Sequence, residues 1–227
     1  MSLHLSECPD EEESCLDRTG LTAAQLLDCH NVFSVPTTAI GCDALTPEDQ
    51  ALLGKRKVSA VSCPVSNLKF GRDTAPIVDL AKAGINVALG TDSPAANNNL
   101  DMFEEMKTAA LWEKQRVHDA SALPATAPLL MATVCGAKAQ GRSAECGMLK
   151  VGMDADLILV DFTAPHLMPC HDILSSLVYS SRVSDEALTM VRGKILYSAG
   201  TFHTIDLKAL VQEMADYAIP NLFTVQD

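Results

Sequence analysis

A carboxylate that follows directly after an apolar segment is one place where this sequence could do chemistry. Residues 85–90 have the composition of a buried strand, and Asp92 follows two residues later. In a parallel α/β barrel, catalytic side chains lie at the carboxyl ends of the strands, where an aspartate can bind a metal or accept a proton. The alternative is that Asp92 caps the next turn, and the spacing alone does not decide between the two.

Two further polar patterns follow apolar segments. His4 and Glu7 form an H-x-x-E at the end of the first segment; histidine is the commonest metal ligand and glutamate can donate a proton, although this pattern often arises by chance. Ser66 and Asn67 belong to a P-x-S-N-x-K pattern that follows another apolar segment. Both could bind a polar ligand, but they are also ordinary turn residues, and without other information the turn is favoured.

The elements that would carry these residues alternate between strands and helices. Thr46 and Pro47 are typical of a helix start, with an N-cap followed by a proline at the first helical position. The alternation predicts an α/β fold with a parallel sheet and crossover helices. Four strands in roughly 120 residues are half of a closed eight-stranded barrel, which needs about 250 residues. The predicted strands lie near residues 3, 37, 60 and 87, and the predicted helices are 75–83, 100–114 and one that begins at Pro124.

The pattern changes in the last third of the chain. Residues 155–161 are typical of an apolar strand bracketed by acids, and residues 188–197 are typical of two strands around a glycine turn. Residues 206–217 have the spacing of an amphipathic helix. We therefore expect a partial barrel over residues 1–150 and a small β unit with a carboxyl-terminal helix over residues 151–227.

Charge and cysteine content argue against several classes of partner. The net charge is −12, from 17 basic and 29 acidic residues, whereas nucleic acids and anionic membranes need clustered lysine and arginine. None of the eight cysteines forms a C-x-x-C pair, which favours free thiols in a reducing compartment. No apolar stretch is long enough to span a membrane. We expect a cytoplasmic protein without nucleic-acid or membrane partners.

Taken in order, the motifs resemble one family closely. The H-x-x-E, the P-x-S-N-x-K and the L-G-T-D-S with its asparagine run are followed by D-M-F-E-E-M at 101–106 and G-x-L-x-x-G-x-x-A-D-L at 147–157. This order is similar to that of the amidohydrolase superfamily, in the branch of methylthioadenosine/S-adenosylhomocysteine deaminases and chlorohydrolase-like enzymes. The resemblance extends over about residues 3–215 and corresponds to the carboxyl-terminal half of the family's chain.

The resemblance implies a fold and a reaction. The fold is the carboxyl-terminal half of a (β/α)8 barrel, about four parallel strands, plus part of a small β-sandwich and a carboxyl-terminal helix. The family's metal, usually zinc, is held by an H-x-H on the first strand, a histidine on the fifth and an aspartate on the eighth, while a histidine on the sixth helps to activate water. Metal-activated water then deaminates an adenosine derivative by hydrolysis.

The family's roles can be carried over to individual residues here. The resemblance implies that His4 and Asp92 are metal ligands and that Glu7 protonates the ring nitrogen of the substrate. It also implies that Asp92 relays a proton towards the departing ammonia, and that Ser66 and Asn67 bind the substrate. The implied partner is a small nucleoside-type molecule.

The sequence departs from the family at several of these positions. The H-x-H is absent, and Gly41 stands where the sixth-strand histidine is expected. Ser62 and Cys63 replace a His-Asn pair, and Asp73 replaces a glycine. Because a catalytic zinc site needs three or more protein ligands, His4 and Asp92 make an incomplete site. The neighbours of Gly41, which are Cys42 and Asp43, are the candidate replacement ligands.

Two interpretations remain open. The chain is either a truncated and degenerate amidohydrolase, including the case of one half of a split enzyme, or a non-catalytic protein that uses an open half-barrel for assembly. In both cases we expect His4 and Asp92 at one end of the sheet and no deamination by this chain alone. We also expect a homo-oligomer or a separate amino-terminal half as partner, because about half of the large aliphatic strand residues should point to the bare inner face. These residues are Val35, Val58, Val61, Val87 and Leu89.

Overall fold

A four-stranded parallel sheet forms the first part of the computed structural model, which describes residues 1–222. The strands follow one another in the order β1-β2-β3-β4, so each pairs with its neighbour in the chain. This confirms the predicted α/β half-barrel. The strands are β1 (Ser2–Leu5), β2 (Thr38–Gly41), β3 (Ser59–Ser62) and β4 (Asn86–Leu89).

Helices connect and follow these strands. Thr46 caps α3 as predicted, because its hydroxyl accepts a hydrogen bond from the Asp49 N–H at 3.1 Å and Pro47 begins the helix. No helix within residues 1–222 is long and apolar enough to cross a membrane. The helices of this part are α1 (Pro9–Thr19), α2 (Ala23–Cys29), α3 (Pro47–Arg56), α4 (Pro64–Lys69), α5 (Ile77–Lys82), α6 (Pro94–Asn97), α7 (Met102–Val117), α8 (Thr126–Ala132) and α9 (Val134–Ala139).

The main core lies between the sheet and the helices that flank it. Leu3, Ala39, Ala60 and Val87 are aligned across the four strands, and the last three are at most 5% exposed. All four belong to the same apolar cluster, which includes fully buried leucines from the helices, such as Leu80. Alanine in two of the central strands leaves room for the helices to pack closely on this face.

The opposite face of the sheet is less apolar than we expected. Because side chains alternate along a strand, Val87 and Leu89 share the face that packs on the helices, and both are buried. Val58 and Val35 precede their strands, with exposures of 2% and 50%. Of the five aliphatic residues assigned to the strands, Val61 is the one in the row facing away from the helices. That face also carries Ser2, Thr38, Ser59 and Asn86.

A second, antiparallel sheet forms the last part of the described chain. Two strands turn at Arg192 and Gly193, which have φ values of 49° and 77°, the backbone signature of a tight hairpin turn. The two predicted strands are therefore confirmed, as is the strand predicted at 155–161, and a short fourth strand joins them. The division at residue 150 stays a prediction, and residues 223–227 lie outside the described part. The elements are β5 (Leu157–Val160), α10 (Ile173–Tyr179), β6 (Glu186–Val191), β7 (Lys194–Ser198), β8 (Thr201–Phe202), α11 (Leu207–Glu213), a π-helix (Met214–Ala218) and α12 (Ile219–Leu222).

Two helical glycines give a test of how tightly the first part is packed. A Cβ on Gly54 in α3 would lie 2.1 Å from the carbonyl oxygen of Ala83, whereas a Cβ on Gly136 in α9 would have no heavy atom closer than 3.5 Å. We expect Gly54→Ala to lower the free energy of unfolding by about 1–3 kcal/mol. Gly136→Ala should be neutral or stabilising by up to about 1 kcal/mol, because alanine favours helix. Urea unfolding of both variants measures this, and a Gly54→Ala protein as stable as the parent would contradict the packing.

Candidate functional site

The residues singled out in the sequence lie along the carboxyl edge of the parallel sheet. His4 is in β1, Ser66 and Asn67 are in α4 directly after β3, and Asp92 follows β4. This agrees with the expected common edge of His4 and Asp92. The two are not adjacent, because β2 and β3 lie between their strands, a separation of about 14 Å at ordinary strand spacing. Their roles stay predictions.

His4 and Glu7 form a direct pair. Ser6 has a φ of 53°, which turns the chain sharply after β1 and lets Glu7 reach back to the strand. His4 Nδ1 and Glu7 Oε1 are 2.7 Å apart, and the side chains are 52% and 35% exposed. Because Nδ1 is engaged, Nε2 is the ring nitrogen that His4 would offer to a ligand.

Ser66 and Asp92 form a second pair. Pro64 begins the short helix α4, so the interpretation of Ser66 and Asn67 as turn residues was wrong. The Ser66 hydroxyl donates to Asp92 Oδ2 at 2.8 Å, and the Ser93 N–H donates to Asp92 Oδ1 at 2.7 Å. These two donors orient the carboxylate at the end of β4. The predicted role of Ser66 and Asn67 in substrate binding remains a prediction.

Asp43 joins the edge between these two pairs. The Asn67 side-chain amide donates to Asp43 Oδ2 at 2.8 Å, so the helix α4 contacts both Asp43 and Asp92 through adjacent residues. Burial raises the pKa of Asp43 to about 7, and the nearby charge of Glu7 adds to this, while the hydrogen bond from Asn67 opposes it. The sequence suggested Asp43 only as a substitute metal ligand. Nothing in the sequence around Asp43 indicated its contact with Asn67, which lies 24 residues away along the chain.

Glu105 lies behind the edge and is fully buried. Its carboxylate accepts the Val65 N–H at 3.1 Å and the Asn97 side-chain amide at 2.5 Å. It therefore ties α4 to α6, the helices that follow β3 and β4. Burial raises the pKa of Glu105 to about 7 despite these two donors. The sequence analysis noted its motif but assigned it no role.

Two thiols at the strand ends are buried. Cys42 is fully buried in the main core, and burial raises the pKa of its thiol well above the ordinary value. Burial also raises the pKa of Cys63 to about 12, with Glu105 and Asp92 adding to the effect. The thiolate is the form that binds metals. The suggestion that Cys42 replaces a missing ligand is therefore wrong, because its side chain packs among the helices.

Comparison with known proteins agrees with this geometry. Residues 5–196 match the Amidohydrolase family. The chain belongs to that family. It is 42% identical to the 5-methylthioadenosine/S-adenosylhomocysteine deaminase of Moorella thermoacetica and 43% identical to the 5'-deoxyadenosine deaminase of Methanosarcina mazei, in each case over 94% of this chain. The chain spans about half the length of these relatives, 50% and 49%.

Solved structures of amidohydrolase-type enzymes share the fold. An adenosine deaminase from Xanthomonas campestris with bound zinc superposes with a TM-score of 0.90 at 35% identity, over 94% of this chain and 49% of that one. The zinc-bound atrazine chlorohydrolase TrzN from Arthrobacter aurescens has a TM-score of 0.85 at 24% identity, which shows the fold alone. The resemblance stated from the motifs is confirmed at the level of the family.

The amidohydrolase zinc does not fit the described residues of this chain by themselves. Within residues 1–222, no group of three or more His, Cys, Asp or Glu side chains is placed to hold a metal ion. His4 and Asp92 stand at the two ends of the edge, Asp92 already accepts two hydrogen bonds, and Gly41 contributes no side chain between them. Two ligands do not make a catalytic zinc site.

The pKa of Glu105 predicts a pH dependence of stability. Because this pKa is raised from 4.5 to about 7, the carboxyl group favours folding below about pH 4.5, and the contribution is lost as the pH rises through about 7. The neighbouring charges of Glu104 and Asp92 also raise the pKa of Glu105. We expect Glu105→Gln to remove this contribution to the pH dependence of stability. The free energy of unfolding of the parent should then fall, relative to that of Glu105→Gln, by on the order of 2–3 kcal/mol between pH 4.5 and 7.5.

Urea unfolding between pH 4.5 and 7.5 measures the effect. Glu13→Gln is the matched control, because Glu13 is an exposed glutamate on another helix, α1, and its replacement should leave the pH dependence in place. Parallel curves for the parent and Glu105→Gln would show that Glu105 titrates alike in the folded and unfolded states.

Proposed function

We propose that this chain provides the carboxyl-terminal half of an active site for the hydrolytic deamination of adenosine derivatives, and that the described residues do not complete the reaction alone. The observation that carries the proposal is the carboxyl edge, where Glu7 and Asp92 each stand after a strand and each has an oriented hydrogen-bond partner. The names of the relatives, which are deaminases of adenosine-type nucleosides, support the substrate class. The implied partner is a small nucleoside, and the location we propose is cytoplasmic.

The retained side chains suit the proton transfers of such a reaction. Hydrolytic deamination adds water across a C=N bond of the ring, so the ring nitrogen gains a proton, and the amine leaves as ammonia after gaining another. In this proposal Glu7, which is half-exposed and paired with His4, donates the first proton. Asp92, which accepts a hydrogen bond from Ser66, passes a proton from the attacking water to the leaving amine.

The described residues provide no group that could activate the attacking water. His4 and Asp92 offer two ligands, and position 41 offers none. We propose that zinc, which the Xanthomonas campestris relative binds, would need further ligands from outside residues 1–222. The chain then supplies orientation and proton transfer, and its partner supplies the rest of the site.

We expect no ammonia release when the purified chain is incubated with adenosine, methylthioadenosine or S-adenosylhomocysteine in the presence of zinc. A coupled ammonia assay with increasing protein concentration measures this, and Asp92→Ala is the control for contaminating enzymes. Ammonia release that rises with the concentration of the parent chain and disappears in Asp92→Ala would refute the proposal.

A non-catalytic assembly role is the second candidate, and the sheet edges favour it. Within residues 1–222, β1 and β4 each pair with a strand on one side only. Unpaired strand edges are sites of association. The antiparallel sheet adds exposed apolar side chains, with Ile158 48% and Leu159 54% exposed.

We expect the chain to self-associate, or to bind a separate amino-terminal half, through these surfaces. Size-exclusion chromatography with light scattering measures the mass, and Leu159→Lys should shift the population towards the monomer by placing a charge on the exposed sheet. A monomer of the parent chain at all concentrations, with a cooperative thermal transition, would exclude self-association.

A further inference from the structure

The segment between β4 and α7 has a strained backbone. Three of its non-glycine residues have positive φ values, which are 57° for Asp92, 82° for Asn98 and 56° for Leu100. Residues with a Cβ, and a leucine above all, rarely adopt this region, and they stay in it only where surrounding contacts hold the chain. The place of Asp92 at the carboxyl edge therefore depends on the residues that brace this segment.

Asn97 braces the segment from its buried side. The residue is 5% exposed and lies in α6. Its side-chain oxygen accepts the Asn99 N–H at 3.3 Å and the Leu100 N–H at 3.1 Å, while its amide nitrogen donates to Glu105 Oε1 at 2.5 Å. Because two backbone donors require the oxygen on their side, the NH2 of Asn97 has to face Glu105.

Glu105 joins this brace to α4. Its Oε2 accepts the Val65 N–H at 3.1 Å, so the two carboxylate oxygens take donors from two separate segments. Val65 directly precedes Ser66, whose hydroxyl donates to Asp92. Glu105 and the Ser66–Asp92 hydrogen bond therefore close a ring of contacts between α4 and the segment after β4. A carboxylate accepts from both sides of this ring, whereas an amide at position 105 would turn its own NH2 towards one of the two donors.

The same helix carries a second fully buried glutamate in different surroundings. Glu113, further along α7, accepts the Val78 N–H at 2.8 Å and forms an ion pair with Arg116. None of the ion pairs within residues 1–222 involves Glu105. A buried carboxylate without a cation is costly, so anchoring of a helix alone is better served by the arrangement at Glu113. What distinguishes Glu105 is its connection to the carboxyl edge.

We propose that Glu105 is a positioning residue for Asp92. Through Asn97 it holds the strained segment after β4, and through Val65 it holds α4, so that Ser66 and the Asp92 carboxylate keep their contact. The inference rests on the proposed function for the role of Asp92 in proton transfer. Glu105 lies behind the edge and acts through these neighbours, not on the substrate.

Amide NMR of the labelled chain tests the inference. The Ser93 N–H donates to Asp92 Oδ1 and therefore reports the place of that carboxylate. At about pH 8.5, above the pKa of about 7 to which burial raises Glu105, the parent should show one sharp Ser93 resonance. We expect Glu105→Gln to broaden or split it. The Val65 and Leu100 N–H groups should then exchange with solvent at least about tenfold faster, because their acceptors are no longer held.

Glu113→Gln is the matched control. It makes the same change at a fully buried glutamate of the same helix that also accepts a backbone N–H. We expect it to lower the thermal midpoint and to leave the Ser93 resonance and the Leu100 exchange rate as in the parent. If Glu105→Gln also left both signals unchanged, Glu105 would only stabilise the fold, and the proposal would be overturned.

Exchange of the two side chains gives a rescue. In the double variant Glu105→Gln/Asn97→Asp, the new amide donates to the new carboxylate and its oxygen accepts the Val65 N–H, so every donor of the ring again has an acceptor. We expect this variant to recover the sharp Ser93 resonance and the slow exchange of the Leu100 N–H. Asn97→Asp alone should not, because it brings two carboxylates together.

The double variant also decides the case in which Glu105→Gln does not fold. A folded double variant with the Ser93 signal of the parent supports the proposal, and one that is unfolded or keeps a broadened Ser93 signal contradicts the ring of contacts. Ammonia release by the parent chain would refute the proposed function without altering the Ser93 signal, so the two failures are distinguishable.

Discussion

In-register parallel pairing of four short strands is the constraint on which the site depends. Leu3, Ala39, Ala60 and Val87 form one row against the helices, and this row fixes the height at which each strand ends. Because every strand runs in the same direction, the residues after each strand meet at one edge. The contacts of α4 with both Asp43 and Asp92 exist only in this register, since a slip by one residue would turn the polar residues to the other face.

Much of this framework follows from local pattern, and the errors have physical causes. Val35 was counted among the strand residues, but β2 begins at Thr38, because Pro36 lacks the N–H that a strand ladder needs. A turn was favoured for Ser66 and Asn67 over a ligand-binding role on pattern alone, although the preceding Pro64 favours the first position of a helix. The inner face was expected to be apolar. A β-branched run shows that a strand is buried, but not which of its two faces meets the helices.

The contacts and burial of Asp43 and Glu105 could not be predicted from local sequence pattern, for a different reason. Their partners Asn67 and Val65 lie 24 and 40 residues away along the chain, so the hydrogen bonds exist only after the sheet has formed. The burial that raises both pKa values is likewise a property of the folded chain. Family resemblance did not supply them either, because it directs attention to the positions of the family's own site residues. The departure at Gly41 was visible in the sequence, but the contact of Asp43 with Asn67 was not.

Four carboxyl groups lie at or directly behind the edge, and their surroundings differ with their burial. Glu7 is paired with a histidine, and Asp92 accepts hydrogen bonds from a hydroxyl and an N–H; both side chains reach solvent. Asp43 and Glu105 are buried, and their hydrogen-bond donors do not offset the loss of solvent, so burial raises both pKa values to about 7. A divalent cation at such an edge would draw these pKa values down again. Protonation of the buried carboxyl groups and metal binding at the edge therefore oppose each other.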